Sequence, residues 1–543
     1  MANLLKRACT IAMGLALFAG APAAAATCAS LMSTPLAHAQ ILSAQEVTTG
    51  SFTPPGGTPL TGLPVFCRVV GISTPTPVSK IGFEVWLPVG AAYNDRYEQV
   101  GNGGFAGAED YGALAEGIRR GYATAGTDDG HQGAQNPSFA LNNPEGIKDF
   151  GWRALEETTQ KAKTLIKAFT GAEPKFSYFI GCSDGGREAL MEAQRFPDDF
   201  DGIIAEAPAN YWTHLFVTAG WSVQAAYNHN VPFVELVPPE SLQVLSVEIR
   251  RQCAGHDGGL ASDKFLTDPR ACHINWWELQ CGQGGSPPYC LSALQVVAVK
   301  KIYAGSVNPV THAQIYPGYE PGAEDDPLDW KLWITGPSGA PPFPTFGLDA
   351  FFGEGYFANF VFDVPIYNLM NLNFTSDVAA SDALAPELNS TDPDLAPFRK
   401  HGGKLIEVQG WADSGVAPQN GINYFESVRS ALGGISYADL GQFYRLFMAP
   451  GMAHCGGGPG ANAFGNTSLS PPASPDAEHD VLRALVRWRE MNVAPDAIVA
   501  TKYVNDNPAL GIAFQRPICP YPKLPRYDGV GLDPKLATSF SCL

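Results

Sequence analysis

Residues 176–195 read FSYFIGCSDGGREALMEAQR and carry the strongest signal for the fold in the chain. The compact apolar run 176–180 predicts a buried strand, and residues 186–195 predict a helix. Between them lies Gly181-Cys182-Ser183-Asp184-Gly185, which matches the pattern Gly-x-Ser-x-Gly. With 58 glycines in the chain, the pattern alone also fits an ordinary glycine-rich turn. Its place between a strand and a helix favours a sharp turn that exposes Ser183 as a nucleophile, with the glycines relieving the crowding of that turn.

The segments on either side of this turn alternate between strands and helices. Strands are predicted at 83–88, 122–125, 201–205, 404–409 and 444–448. Helices are predicted at 113–120, 154–169 and 480–491. Such alternation predicts an α/β fold with a mainly parallel sheet.

The alternation lapses between residues 212 and 395, where Pro, Gly, Trp and Phe are frequent. Helices are predicted within it near 239–252 and 291–304. We interpret this segment as a large lid domain inserted into the catalytic domain. The catalytic domain then comprises residues 27–211 and 396–543.

The chain begins with a segment that is typical of a signal peptide. Residues 1–26 contain Lys6 and Arg7, then a short apolar run from Ile11 to Ala19, then a cluster of alanines. A membrane anchor is the alternative, but the run is short for spanning a bilayer. We therefore expect a secreted or periplasmic protein. The net charge of −18 argues against nucleic acid or an anionic membrane as a partner, and the oligomeric state is not predicted.

The cysteine count agrees with export. Of 11 cysteines, Cys9 lies in the signal segment, and an even ten remain. An even number in an oxidising compartment suggests five disulfides, although the sequence does not fix their pairing. Three close pairs suggest themselves: Cys253 with Cys272, Cys281 with Cys290, and Cys519 with Cys542. Zinc is the alternative, but the chain has no Cys-x₂-Cys pair.

A serine becomes a strong nucleophile only when a base takes its proton and an acid orients that base. In α/β-hydrolases the order along the chain is serine, acid, histidine. Asp413 follows the predicted strand 404–409, and His454 follows the predicted strand 444–448. His131 also follows a strand, but it precedes Ser183 in the chain. The sequence therefore predicts a catalytic triad of Ser183, Asp413 and His454.

Two cysteines stand directly beside the predicted nucleophile and base. Cys182 precedes Ser183, and Cys455 follows His454. A disulfide between them would tie the two catalytic residues together across the fold. Two unrelated pairings are the alternative at this point.

These motifs resemble those of the tannase/feruloyl esterase family, which also includes the hydrolase of mono(2-hydroxyethyl) terephthalate. The resemblance rests on residues 181–187, on FPDDFDGIIAEAPA at 196–209, on Gly410-Trp411-Ala412-Asp413 and on His454-Cys455. It covers nearly all of the mature chain. It implies an α/β-hydrolase fold, the triad above, and an oxyanion hole of the Asp184 amide plus an amide at Gly103-Gly104. It also implies five disulfides: Cys182–Cys455, Cys28–Cys67, Cys253–Cys272, Cys281–Cys290 and Cys519–Cys542.

The family carries a calcium loop in its lid, and residues 253–269 correspond to it. Asp257, Asp263 and the Phe265 carbonyl are the candidate ligands, with Asp268 as a further one. The first acid of the family's loop is replaced by Ala254, and Lys264 brings a positive charge close by. A structural calcium ion in the lid is therefore an open possibility, and no cofactor is expected for catalysis.

The resemblance implies a serine esterase acting on a small aromatic ester through an acyl-enzyme. Feruloyl, chlorogenate or gallate esters are the first hypothesis. The second is other esters, including terephthalate monoesters and aliphatic acyl esters, and the third is a non-catalytic binding protein. Seven lid aromatics are candidates to hold a substrate ring, although packing in the core of the lid is favoured for any single one: Trp276, Trp277, Phe351, Phe352, Tyr356, Phe357 and Phe360.

Overall fold

The structure is a computed structural model that describes residues 26–227, 235–282, 285–336, 346–467 and 470–543. The predicted signal peptide at 1–26 falls almost entirely outside the described residues. Among the described helices, none combines the length and the apolar composition that crossing a membrane requires.

The strands were predicted from runs of apolar residues, and the described chain contains more of them than the sequence suggested. They are β1 (Ala39–Val47), β2 (Ser51–Phe52), β3 (Leu60–Thr61), β4 (Phe66–Ser73), β5 (Ile81–Pro88), β6 (Arg96–Val100), β7 (Ala123–Thr127), β8 (Phe176–Cys182), β9 (Gly202–Glu206), β10 (Ser306–Val307), β11 (Gln314–Tyr316), β12 (Lys404–Gly410), β13 (Tyr444–Ala449), β14 (Ile498–Tyr503), β15 (Ile512–Pro520), β16 (Pro525–Tyr527) and β17 (Phe540–Cys542).

The helices occupy the connections between these strands and most of the lid segment. They are α1 (Tyr111–Arg119), α2 (Pro144–Lys148), α3 (Ala154–Thr170), α4 (Asp184–Arg195), α5 (Trp212–Ala226), α6 (Pro239–Cys253), α7 (Trp276–Leu279), α8 (Ala293–Ala304), α9 (Trp330–Trp333), α10 (Leu348–Tyr356), α11 (Ser376–Asp382), α12 (Ala385–Leu388), α13 (Ala396–His401), α14 (Pro418–Ala431), α15 (Tyr437–Leu440) and α16 (Val481–Met491).

The main sheet has 11 strands in the order β1-β4-β5-β7-β6-β8-β9-β12-β13-β15-β14. Its centre, from β7 to β13, is parallel, and both margins are antiparallel. Strand β9 is buried along its whole length, as expected for a parallel strand covered on both faces. The expected α/β-hydrolase fold is confirmed, and β8 with α4 forms its centre.

Helices α5 to α12 lie between β9 and β12 in the chain and build a second hydrophobic core. Its members include Trp212, Phe216 and Tyr356, which are all buried. Phe105, from the loop after β6, packs into the same core with its ring centroid 5.4 Å from that of Phe352. Aromatic contacts of this kind fix the lid segment on the carboxyl edge of the sheet.

Five disulfides join the cysteines in the pairs that the family resemblance implied. They are Cys28–Cys67, Cys182–Cys455, Cys253–Cys272, Cys281–Cys290 and Cys519–Cys542. The three close pairs suggested by spacing are therefore correct. The Cys182–Cys455 bond spans 273 positions and joins the end of β8 to the loop after β13.

Candidate active site

Ser183 stands on the tight turn between β8 and α4. Its backbone adopts φ 65° and ψ −117°, a region that non-glycine residues rarely occupy. The turn is held by two backbone hydrogen bonds, from the Ser183 amide to the Glu206 carbonyl at 3.0 Å and from the Ala209 amide to the Ser183 carbonyl at 3.0 Å. A Cβ at Gly181 would lie 2.3 Å from the Gly185 carbonyl oxygen, so only glycine fits there. Strain held in this way is typical of functional turns.

Backbone amides that could hold an oxyanion lie on both sides of this serine. The Asp184 amide is the first of α4, where a helix offers its amides no internal acceptor. Gly103 and Gly104 line the same cavity as Ser183. Gly104 has φ 60°, and a Cβ there would lie 2.0 Å from Oε1 of Gln135, so this position also needs glycine.

The loop that carries these glycines is tied to α4. The Gly185 amide donates to the Asn102 carbonyl at 2.7 Å, and the Asn102 amide donates to Oε2 of Glu188 at 2.9 Å. Glu188, Asp184 and Asp129 form a buried acidic cluster in the described chain. The Arg187 guanidinium lies 2.5 Å from the Asp184 carboxylate and supplies a compensating cation. Burial raises the pKa of Asp184 to about 7. Through the hydrogen bond from the Asn102 amide, Glu188 positions the glycine loop, and nothing in the sequence indicated this role.

His454 and Asp413 are hydrogen-bonded to each other. Nδ1 of His454 lies 3.0 Å from each carboxylate oxygen of Asp413. The carboxylate also accepts from the amides of Gly415 at 2.9 Å and Val416 at 2.8 Å, and from Nε2 of Gln409 at 2.9 Å. A proton on Nδ1 leaves Nε2 of His454 as the acceptor, which is the tautomer that a general base needs.

The Cys182–Cys455 disulfide links the two sides of the site. Its Cα atoms are 5.9 Å apart, and its cysteines are the chain neighbours of Ser183 and His454. All four residues line one cavity. The Asn466 side chain donates to the Cys455 carbonyl at 3.1 Å and so fixes the loop that carries His454.

The cavity has a volume of about 450 Å³, and residues of the segment 212–395 form part of its wall. Its lid side chains are Trp212, Leu215, Phe216 and Ala219 of α5, Trp333 of α9, and Leu348, Asp349 and Phe352 of α10. The Trp333 ring packs edge-on against the His454 ring, with centroids 4.9 Å apart. The lid therefore reaches the base directly.

Of the seven lid aromatics proposed from the sequence, Phe352 is the one that lines this cavity in the described chain. Tyr356, Phe357 and Phe360 are buried in the lid core, and Phe351 packs against Phe352. Trp276 borders a different cavity, beside Arg270, and Trp277 is 84% exposed. Within the described chain these six aromatics therefore do not line the cavity beside Ser183. Trp212, Phe216 and Trp333 were missed because nothing local in the sequence separates a cavity-lining aromatic from a core one.

His131, the competing histidine, has a different environment. Its ring stacks on Phe139 with centroids 3.8 Å apart, and burial lowers its pKa to about 4. Within the described residues it does not line the cavity that holds Ser183. The structure thus favours His454 as the partner of the serine.

The predicted calcium ligands have protein partners instead. Asp257 accepts hydrogen bonds from the amides of Gly259 and Thr267. Asp263 forms an ion pair with Arg516 at 3.0 Å, and Asp268 forms one with Arg270 at 2.8 Å. Calcium needs several oxygens that converge on one point, and guanidinium groups at two of these carboxylates do not fit that requirement.

Comparison with known proteins agrees with this geometry. The family model for tannase and feruloyl esterase matches residues 67–543. An esterase of Xanthomonas campestris pv. campestris is 41% identical over 539 residues, which cover 96% of this chain and 92% of the relative. A protein of Aspergillus terreus described as "Probable feruloyl esterase B-2" is 32% identical, with 86% of this chain and 84% of the relative covered.

Solved structures show the same likeness. The crystal structure of feruloyl esterase B from Aspergillus oryzae superposes with a TM-score of 0.85 and 29% identity, covering 95% of this chain and 99% of that one. Tannin acyl hydrolase from Aspergillus niger shares the fold, with a TM-score of 0.73 and 23% identity, covering 93% of this chain and 92% of that one. The chain belongs to the tannase and feruloyl esterase family of carboxylic ester hydrolases.

Proposed function

We propose that this enzyme hydrolyses esters of aromatic or phenolic acids, of the feruloyl, chlorogenate or gallate type, through an acyl-enzyme on Ser183. The observation that carries the proposal is the cavity in which the strained serine turn meets His454, itself hydrogen-bonded to Asp413 at 3.0 Å. A serine, a base and an orienting acid are the three parts that nucleophilic acyl transfer requires.

In the first half of the reaction, His454 takes the proton of the Ser183 hydroxyl as the serine oxygen attacks the ester carbonyl carbon. The negative oxygen that forms is stabilised by the Asp184 amide and an amide of Gly103 or Gly104. The Asp413 carboxylate stabilises the imidazolium. When the tetrahedral intermediate collapses, the bond to the alcohol breaks and His454 donates its proton to the leaving alcohol.

In the second half, water repeats the attack. His454 removes a proton from water, the hydroxyl adds to the acyl carbon, and the bond to Ser183 breaks as the serine regains its proton. The acid is released and the enzyme returns to its starting state. No cofactor takes part in this sequence of steps.

The lining of the cavity supports an aromatic acyl group. Apolar and aromatic side chains from α5 and α10 form its wall, and flat rings pack well on such surfaces. Among the described lining residues there is no Lys or Arg to neutralise a free substrate carboxylate. This lining disfavours terephthalate monoesters relative to neutral phenolic esters. The names of the fungal relatives support the same substrate class.

We infer that the protein works outside the cytoplasm, secreted or in the periplasm. Five disulfides would persist in an oxidising compartment, and the amino-terminal segment is typical of export. A net charge of −18 makes a small neutral ester a better partner than nucleic acid.

Hydrolysis of methyl ferulate, methyl gallate, chlorogenate and p-nitrophenyl acetate, measured side by side, tests the proposal. We expect kcat/KM for at least one phenolic ester to exceed that for p-nitrophenyl acetate. Ser183→Ala should abolish turnover of all four. The matched control is Ser427→Ala on α14, whose hydroxyl binds the Tyr424 carbonyl, and it should keep wild-type rates. Turnover of p-nitrophenyl acetate with none of the phenolic esters would contradict the substrate class.

A further inference from the structure

We propose that Asp349 is the specificity-determining residue of the acyl cavity and that it recognises a hydroxyl group on the aromatic ring of the substrate. The inference rests on the proposed function and names the group that selects among aromatic acyl chains. Asp349 lies on α10 and lines the cavity that also contains Ser183 and His454.

The surroundings of Asp349 are apolar. Leu348 and Phe352 of the same helix line the cavity beside it, and Phe216 and Ala219 of α5 face the same space. Asp349 itself is only 4% exposed. Among the described residues of α5 and α10 that line the cavity, Asp349 is the one with an ionisable side chain. A polar group placed in an apolar wall serves to fix the orientation and identity of a ligand.

The carboxyl of Asp349 is held by Tyr319. The Tyr319 hydroxyl lies 3.3 Å from Oδ2 of Asp349. Among the described residues no cation forms a salt bridge with Asp349, whereas Asp325 and Asp263 each have an arginine partner. Burial raises the pKa of Asp349 well above its ordinary range, which favours the neutral form of the carboxyl. A neutral carboxyl has both a donor and an acceptor, which matches a phenolic hydroxyl.

The position of Asp349 indicates that it contacts the acyl part of the ester substrate, and not the alcohol part. Gly103 and Asp110 of the cavity lining are exposed and mark its open side, whereas Phe216 of α5 and Asp349 of α10 are buried and mark its closed side. A leaving alcohol of variable size needs the open side. With the carbonyl carbon at Ser183, the ring of the acyl group then extends toward the closed side, where Asp349 lies.

The test compares two substrates that differ by one oxygen atom, methyl 4-hydroxycinnamate and methyl cinnamate. The readout is the ratio of their kcat/KM values, which does not depend on the fraction of enzyme that is folded. We expect the wild-type ratio to be about 10, as a hydrogen bond of ordinary strength would give. Asp349→Leu should lower the ratio to about 1, because leucine also branches at Cγ but has no polar side-chain atom.

Asp349→Asn should keep most of the wild-type ratio, because an amide also donates and accepts. The matched control is Asp110→Asn, which changes the other carboxyl of the cavity at its exposed side. Asp110 caps α1 through the Ala113 amide at 2.9 Å, and asparagine caps equally well, so the ratio should not change. If Asp349→Leu does not fold, Asp349→Ser, which has a hydroxyl too short to reach the same point, replaces it and should also lower the ratio.

A wild-type ratio near 1, or an Asp349→Leu enzyme that keeps the wild-type ratio, would overturn the proposal and leave Asp349 as a packing residue of the lid. Both results are compatible with the proposed function. Absence of turnover for both cinnamates and for methyl gallate, with p-nitrophenyl acetate still hydrolysed, would contradict the proposed function itself.

Discussion

Cys182 and Cys455 are bonded to each other although 273 positions separate them, and each is the chain neighbour of a proposed catalytic residue. The bond connects the turn of Ser183 with the loop of His454, two segments that follow different strands of the sheet. Nucleophile and base are therefore held by a covalent link as well as by packing. Small displacements between such groups are costly for catalysis.

Removing this disulfide should impair both stability and turnover. For Cys182→Ser/Cys455→Ser we expect the free energy of unfolding to fall by about 2–5 kcal/mol, the usual cost of losing a native disulfide. We expect kcat to fall at least about tenfold because the relative position of Ser183 and His454 loosens. Thermal unfolding and steady-state kinetics measure the two effects.

The control is Cys281→Ser/Cys290→Ser, which removes a disulfide spanning 9 positions in the lid. It should cost less stability, because a shorter closed loop restricts the unfolded chain less, and kcat should change little. Equal kcat for the two double variants would show that the Cys182–Cys455 bond does not position the catalytic residues.

Asp413→Asn should lower kcat by roughly 10³–10⁴-fold with little change in KM, because an amide favours the wrong tautomer of His454 and no longer stabilises the imidazolium. The chain offers a matched control in Asp476, which lies 2.8 Å from Nδ1 of His479 at the surface. Asp476→Asn should leave kcat unchanged. A mild effect of Asp413→Asn, below about tenfold, would contradict its role as the orienting acid.

Glu407 should make stability depend on pH. It is buried on β12, where it accepts a hydrogen bond from Tyr444, and burial raises its pKa from 4.5 to about 8. Between these two values the folded chain keeps a proton that the unfolded chain releases. The free energy of unfolding therefore falls as pH rises, by up to about 1.4 kcal/mol per pH unit from this group.

In Glu407→Gln this contribution disappears. The melting temperature of the variant, minus that of the wild type, should increase from pH 5 toward about pH 8 and then level off. Calorimetry across that range measures it, with Glu46→Gln on the exposed side of β1 as control. A difference that is constant with pH would show that Glu407 is ionised in the folded protein.

Chelation of divalent metals should not destabilise the enzyme. Asp263, one of the predicted calcium ligands, has Arg516 as its cation, and both side chains are largely buried. EDTA should leave the melting temperature unchanged. Arg516→Ala should cost about 3–5 kcal/mol, because it leaves a buried carboxylate unpaired. A melting temperature that falls in EDTA and returns with calcium would show that the loop binds the ion after all.

The parts of the fold that the sequence predicted are those in which local pattern and tertiary role agree. β8 and β9 are mostly apolar and buried, and α4 is rich in strong helix formers although it also buries charged residues such as Asp184 and Glu188. The order of Asp413 and His454 follows from strands that alternate with helices. The resemblance to a known family added the disulfide pairing, which spacing alone left open.

Other parts depend on contacts between distant residues. β6 reads Arg-Tyr-Glu-Gln-Val and has no apolar run, yet it lies in the centre of the sheet. Its Arg96 pairs with Glu490 at 2.6 Å, and its Glu98 is buried with a pKa raised by burial to about 7. The contact of Trp333 with His454 likewise joins the lid to the sheet, and no local pattern encodes it.

The most direct test of the account is to identify the residue that a fluorophosphonate modifies. Labelling of the active enzyme, followed by proteolysis and peptide mass spectrometry, should place one adduct on Ser183, and Ser183→Ala should remain unlabelled. Loss of ester hydrolysis should parallel the extent of labelling. An adduct on a different serine, or a fully active enzyme that does not label, would contradict the assignment of Ser183 as the nucleophile.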